Sequence, residues 1–313
     1  LRDGSVRLPP IASLSREAPC PPIRRYAWRA LDRQWCIADG RLGDRLRPAL
    51  WQIDGERQIY LTTLMSSGLS RGPALVACAH VPDLHHFRGS FGDRGVIPLW
   101  RDAAATRPNV APGLLAALAA RYGRTVAAEE LFAYIHGCLA HPGYYESLVD
   151  ALAEAGPRVP MTADARRFEQ MVALGRELLR LQTFGERMGD GAGIGGAARC
   201  LAAIPGDDYP ATFRWADEAL RVGQGVFAPV SRAVWDYEVS GLRVVASWLG
   251  FRMQRPRGRR SSPLDLLRPA AWTEAMTAEL LELLWVVEGS LAVHRRQAVA
   301  FAELVAGPLL PAD

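Results

Sequence analysis

From His80 to Trp100 the chain reads H-V-P-D-L-H-H-F-R-G-S-F-G-D-R-G-V-I-P-L-W, a close gathering of side chains able to do chemistry. Two chemistries compete for it. His80, Asp83, His85 and His86 form an H-x-x-D-x-H-H cluster of the residue types that ligate a catalytic metal, which would make the chain a metal-dependent hydrolase. His85, Arg88 and Arg94 could instead grip an anion. Neighbouring side chains on an extended segment point to opposite faces, so His85 and His86 do not readily share one ion. His136 and His141 lie far along the chain. The geometry favours histidines that shape the loop or touch phosphate, and the hydrolase stands as the alternative.

Other motifs narrow the chemistry further. Gly191, Gly193 and Gly196 satisfy G-x-G-x-x-G, but a dinucleotide or S-adenosylmethionine loop needs a hydrophobic strand directly before it. The residues before it, Phe184–Asp190, are no strand, and a loop is expected. No G-x-S-x-G elbow occurs, and the carboxylates are scattered, so no nucleophile, base and oxyanion site assembles. Arg24, Arg25 and Arg29 alternate with Tyr26 and Trp28, Arg33 precedes Trp35, and Arg41, Arg45 and Arg47 follow. Arginine forks bind phosphates or guanine edges while aromatic rings stack or wedge; the ordinary alternative is an aromatic core edge with solvated arginine stems. A second group, Arg252, Arg255, Arg257, Arg259 and Arg260, stands without an acid in Phe251–Arg260, as in a segment that holds a polyanion.

Composition agrees with a DNA partner more than with a membrane. All 37 basic residues are arginine. Residues 1–110 hold 16 of them against 10 acids, whereas 111–205 hold 9 against 10 and 206–313 hold 12 against 13. The net charge of +4 therefore comes from the first third, where a phosphate-binding surface is expected. No apolar run reaches the roughly 18–20 residues of a bilayer span. The five cysteines are irregularly spaced, which argues against a zinc cluster or a disulfide framework and for reduced thiols in the cytoplasm.

These residues must be positioned by elements of two kinds. Residues 1–22, rich in Pro and Ser, predict a linker or wrapping segment. Short β-branched and aromatic runs separated by turn residues predict a β-rich part over 23–110. Apolar residues at three- and four-residue intervals then predict a helical spacer over 111–190, with helices at 112–122, 127–140, 143–155 and 163–184, the last capped by Thr162. A flexible loop is expected over 191–210. The remainder, 211–313, predicts a C-terminal α+β part with a small β-meander, one helix over 231–249, a basic segment at 251–262, a helix from a Thr273 cap through Val287, and a second piece over 291–305. The fold class is α+β: a β-rich recognition platform, a helical bundle and a small α+β end. Leu1 and the Pro-rich opening predict a piece of a longer protein.

Several stretches taken in order carry a resemblance. They are Y-A-W-R-A-L-D-R-Q-W (26–35), R-Q-I-Y-L-T (57–62), G-P-A-L-V-A-C-A-H-V-P-D-L-H-H-F (72–87), V-I-P-L-W (96–100), E-E-L-F-A-Y-I-H (129–136), R-V-P-M-T-A-D (158–164), L-Q-T-F-G-E-R (181–187) and V-W-D-Y-E-V-S-G (234–241). Together they resemble the C-terminal specificity (target-recognition) region of type ISP restriction–modification enzymes, which are adenine-specific DNA methyltransferases of bacterial phage defence. In that family one polypeptide joins a nuclease, a helicase-like translocase, an adenine N6-methyltransferase and a target-recognition domain. The resemblance implies that this chain selects a site in double-stranded DNA and performs no catalysis itself. S-adenosylmethionine and ATP would belong to N-terminal parts, with methyltransferase and translocase domains joined in cis or in trans. The blander option is a module that docks a methyltransferase without reading bases. By charge and position, the expected DNA contacts are Arg24, Arg25, Arg29, Arg33, Arg41, Arg45, His85, Arg88 and Arg94, with Arg252, Arg255, Arg257, Arg259 and Arg260 on phosphates.

Overall fold

The computed structural model describes residues 13, 15, 17–42, 46–65, 72–87, 95–141, 143–144, 156–189, 191–255 and 269–311. Strands β1 (Ile23–Arg29) and β2 (Asp32–Ile37) form an antiparallel hairpin with Arg25 opposite Trp35 and a bulge between Ala27 and Arg29. The free edge of β1 does not stay open. Ala27 N donates to Val81 O (3.1 Å) and Asp83 N to Ala27 O (2.8 Å), so the His80–Phe87 segment lies along the hairpin as a parallel partner. A three-stranded antiparallel sheet follows, β3 (Tyr60–Thr63) in the centre between β4 (Leu75–Cys78) and β5 (Gly95–Pro98). Every residue of β3 and β4 is buried, which is why both read as unbroken runs rather than as alternation.

The helices that cover this sheet pack through glycine. After the short α1 (Pro48–Trp51) come α2 (Leu114–Tyr122), α3 (Ala128–Leu139) and α4 (Ala165–Gln182). A Cβ on Gly175 would stand 1.8 Å from the Ala133 carbonyl oxygen, and one on Gly137 would stand 2.6 Å from that of Met171. The backbones of α3 and α4 therefore touch at a pair of positions where only glycine fits. Buried polar ties lock them to the sheet: Gln182 Oε1 accepts from Ala77 N in β4 (2.8 Å) and lies 3.0 Å from His136 Nε2 in α3.

A second antiparallel sheet, ordered β6-β9-β8-β7, comprises β6 (Arg199–Ala202), β7 (Phe213–Ala216), β8 (Ala219–Val222) and β9 (Gly225–Ala228). Leu220, Val222 and Phe227 face inward, fully buried. Then come α5 (Arg232–Asp236), a two-residue-stranded hairpin of β10 (Glu238–Val239) and β11 (Leu242–Arg243), α6 (Val244–Gly250) and the closing helix α7 (Glu274–Val305). The main apolar core runs from Ala30 to Leu304 through both sheets and the helices, and a second, smaller cluster of Tyr26, Ala27, Tyr60, Cys78 and Val81 packs the hairpin on the central sheet. The α+β class holds.

Four expectations about elements change. The single helix over 231–249 is two, because Ser240 and Gly241 both adopt positive φ and turn the chain between β10 and β11. Conversely, α7 runs unbroken through Gly289, whose missing Cβ lets the helix approach Leu181, and Ser290 Oγ bonds back to Val286 O. The N-cap of α4 is Asp164, which accepts from Arg166 N and Arg167 N, while Thr162 Oγ1 accepts from Asp164 N one step earlier. The stretch expected as a loop at 191–210 contains β6, and Ala197 N donates to Glu288 Oε2 of α7 (2.8 Å). Most of the expected helix at 143–155 and of the basic segment at 251–262 lies outside the described residues.

Four histidines are built into the interior uncharged. Burial lowers His86 and His136 to about 3 and His141 and His294 to about 4. In the unfolded chain each titrates near 6.5, so the unfolded state takes up protons first and stability is lost as pH falls below about 6.5. Unfolding free energy is expected to fall as pH drops from about 6.5 to 5, by up to roughly 1 kcal/mol per pH unit for each histidine, and the melting midpoint with it; a midpoint constant over that range would contradict the buried neutral assignment. Replacement of Gly175 by alanine is expected to cost about 1–3 kcal/mol in urea unfolding. Gly206, where a Cβ would meet nothing within 4 Å, provides the control, expected within about 0.5 kcal/mol of the parent.

Candidate nucleic-acid interface

The hairpin supplies most of the described arginines expected at DNA, and strand alternation sorts them. Arg25, Ala27, Arg33 and Trp35 share one face by register. That face meets α7 and the turn after α4. Arg25 Nη2 donates to Glu279 Oε1 (3.0 Å) and its guanidinium stacks 4.4 Å over Trp35. Arg33 donates to Glu186 (2.8 Å) and Glu282 (2.5 Å) and lies 3.7 Å over the Phe184 ring. Glu279 and Glu282 stand three residues apart, one helical turn, so a single face of α7 receives both arginines.

The turn end of the hairpin is tied more deeply. Asp32 accepts from Arg252 Nη2 (2.8 Å), and the two side chains are 2% and 8% exposed. The Arg252 guanidinium also donates to Trp248 O (3.2 Å), stacks on the Trp248 ring at 3.7 Å and lies 3.7 Å from Glu279. Charges this deep require partners, and a planar guanidinium suits several at once. Arg25, Glu279, Arg252 and Asp32 thus form one chain of charges from the hairpin through α7 to the end of α6. On the opposite side Arg29, itself buried, donates to Asp83 (2.8 Å) and stacks on Trp28 at 4.0 Å, while Tyr26 Oη donates to the other Asp83 oxygen (2.9 Å).

The histidine cluster does not converge. His86 points into the core, its Nδ1 2.9 Å from Thr62 Oγ1. His80 Nε2 lies 2.9 Å from Glu186 Oε2. Burial works against ionisation of Glu186, but His80 and Arg33 outweigh it and hold the carboxyl at about 2. Asp83, besides Arg29 and Tyr26, accepts from His85 N (2.8 Å). Among the described residues no three His, Cys, Asp or Glu side chains are placed to hold a metal. The residues of the hydrolase alternative are instead shared out between the core, the Glu186 carboxylate and the hairpin.

Of the remaining expected contacts, Arg24 and Arg255 are exposed with no ion pair among the described residues, and Arg41 is clasped by Asp39 at 2.5–3.1 Å. Arg45, Arg88, Arg94, Arg257, Arg259 and Arg260 lie outside the described residues. Sequence reasoning missed the hub after α4. Arg187 donates to the carbonyls of Gln58 (2.9 Å), Gly55 (3.3 Å) and Ala79 (3.4 Å), so L-Q-T-F-G-E-R (181–187) contacts the hairpin, the central sheet and the loop before β3 together. The glycines of G-x-G-x-x-G open no helix. Gly196 is pressed against Trp285 and Glu288 of α7, and Arg180 holds the Ala192 carbonyl (2.7 Å), so the loop straps two helices and does not fit a dinucleotide.

Three solved structures share this fold. A nuclease-deletion mutant of the type ISP restriction–modification enzyme LlaGI in complex with a DNA substrate mimic is 14% identical with a TM-score of 0.56, covering 93% of this chain and 21% of that one. The DrdV–DNA complex is 18% identical with a TM-score of 0.63, covering 91% and 29%. The ATP-dependent type ISP restriction–modification enzyme LlaBIII bound to DNA is 13% identical with a TM-score of 0.57, covering 90% and 18%. This chain thus spans less than a third of each. Comparison with curated proteins finds no match. The family model described as the type ISP C-terminal specificity domain matches residues 7–283, and the chain accordingly belongs to the type ISP C-terminal specificity domain family.

Proposed function

We propose that this chain recognises a target sequence in double-stranded DNA as the non-catalytic specificity region of a restriction–modification enzyme. The observation that carries the reading is the specificity-domain match over residues 7–283. The three similar structures, each solved with DNA or a DNA mimic, support it through the shared fold. Chemistry then falls to an adenine methyltransferase and an ATP-driven translocase, joined in cis or in trans, where S-adenosylmethionine and ATP are bound. The enzyme works in the cytoplasm; no helix among the described residues is long and apolar enough to cross a membrane.

The arginines divide into two roles on this reading. Arg24 and Arg255, exposed and without an ion pair among the described residues, reach DNA phosphates, together with Arg45, Arg88, Arg94, Arg257, Arg259, Arg260 and His85. Arg25, Arg29, Arg33, Arg41 and Arg252, each already holding a carboxylate, orient the hairpin and its loop so that the first group meets the duplex. Phosphate contacts supply most of the affinity and a few groove contacts the sequence choice.

Duplex affinity is expected to fall steeply as salt rises, because each neutralised phosphate releases counterions. Arg24→Gln should weaken binding about equally for all sequences and reduce the slope of log affinity against log salt by about 1, without lowering the melting midpoint. Fluorescence anisotropy across a salt series measures both, and an affinity indifferent to salt would contradict the proposal.

A further inference from the structure

Across the β7–β8 pair Arg214 stands directly opposite Arg221. Neither has a hydrogen-bond, ion-pair or ring partner among the described residues. Like charges facing each other across antiparallel strands, with Cβ atoms about 5 Å apart, repel and destabilise the pair. Arg29, Arg33, Arg187 and Arg252 are handled differently, each guanidinium donating to a carboxylate or carbonyl oxygen. No described oxygen neutralises this pair, which leaves it open to an anion.

The surroundings identify the face it occupies. Leu220, Val222 and Phe227 on the other side of the sheet are fully buried, so Arg214 and Arg221 lie on its outer side, the first exposed and the second half-buried. Register extends the Arg221 row across the sheet to Val226 and then Ala202, and the next row towards the turn is Ala216 opposite Ala219. No acid stands on these rows. Ala202 is exposed and Ala216 and Val226 are half-buried beside the two guanidinium forks, while Ala219 is buried, so the accessible part of this face lies along the Arg214–Arg221 row, where each fork can take a phosphate. Asp217 and Glu218 sit beyond it in the turn. At the far end Gln254 N donates to Pro210 O (2.8 Å), three residues before β7, so the exposed Arg255 arrives at the same end of the sheet.

We propose that the outer face of the β6-β9-β8-β7 sheet is a second DNA-backbone contact surface, in which Arg214 and Arg221 grip phosphates of one strand. The assignment rests on the DNA-recognition reading and extends it to the C-terminal sheet, away from the hairpin. Bound phosphate removes the repulsion between the two arginines, which links binding to the stability of the sheet.

Duplex binding by the full chain, followed by fluorescence anisotropy from low to moderate salt, tests this with Arg214→Gln/Arg221→Gln and the charge-keeping Arg214→Lys/Arg221→Lys. Removing two phosphate contacts should reduce the salt slope by about 1.8 and weaken binding about tenfold or more at low salt. The lysine variant should keep the parent's slope, and the glutamine variant should melt no lower than the parent. A glutamine variant with the parent's slope and affinity overturns this surface and leaves DNA recognition standing. A lower melting midpoint for that variant also overturns it, by identifying the pair as structural. A parent that binds no duplex overturns both readings.

Discussion

The ion pair between Asp32 and Arg252 sets the position of the hairpin on which the proposed DNA surface is built. The two residues lie 220 positions apart, and each is nearly sealed from water. A lone charge at that depth would cost several kcal/mol, so each side chain is held where the other can reach it. Arg252 leaves the end of α6 and Asp32 begins β2, so their contact fixes the hairpin turn against the C-terminal helices. Arg25 and Arg33 then dock the same hairpin on Glu279 and Glu282 of α7, and Asp83 pins its bulge through Arg29. A strand pair that would be marginal alone gains a fixed orientation from its charged partners.

An all-arginine basic complement makes this economy possible. Guanidinium groups bind carboxylates in planar, directional fashion and stack on aromatic rings, so one residue type serves both as internal fastener and as phosphate contact. Arg29 over Trp28, Arg33 over Phe184 and Arg252 over Trp248 show the fastener use, each also donating to a carboxylate oxygen. Arg24, Arg255 and the Arg214–Arg221 pair form no ion pair or hydrogen bond to such oxygens among the described residues. The difference between the two uses lies in long-range geometry rather than in charge density along the chain.

That distinction explains what could be read in advance. The hairpin and central strands were legible from β-branched and aromatic runs, and Thr273 as a helix cap from its place before an apolar period, since its Oγ1 accepts from Met276 N. The break at Ser240-Gly241 was hidden because apolar spacing continues through it. The family was legible from ordered motifs, of which L-Q-T-F-G-E-R now has physical content as the hub of Gln182, Glu186 and Arg187. The partners of Arg25, Arg33 and Arg252 were not legible. Glu279 is 254 residues from Arg25, and no local pattern encodes such a pairing. The histidine cluster misled for the same reason, because the burial of His86 and the salt bridge of His80 depend on elements distant in sequence.

The claim that the hairpin is positioned by buried charge is tested most directly by a double-mutant cycle on Asp32 and Arg252 in urea unfolding. Each alanine substitution alone should cost about 3–5 kcal/mol by stranding the other charge, and the double substitution should cost little more than either. Losses that simply add, with no coupling between the two residues, would contradict the account.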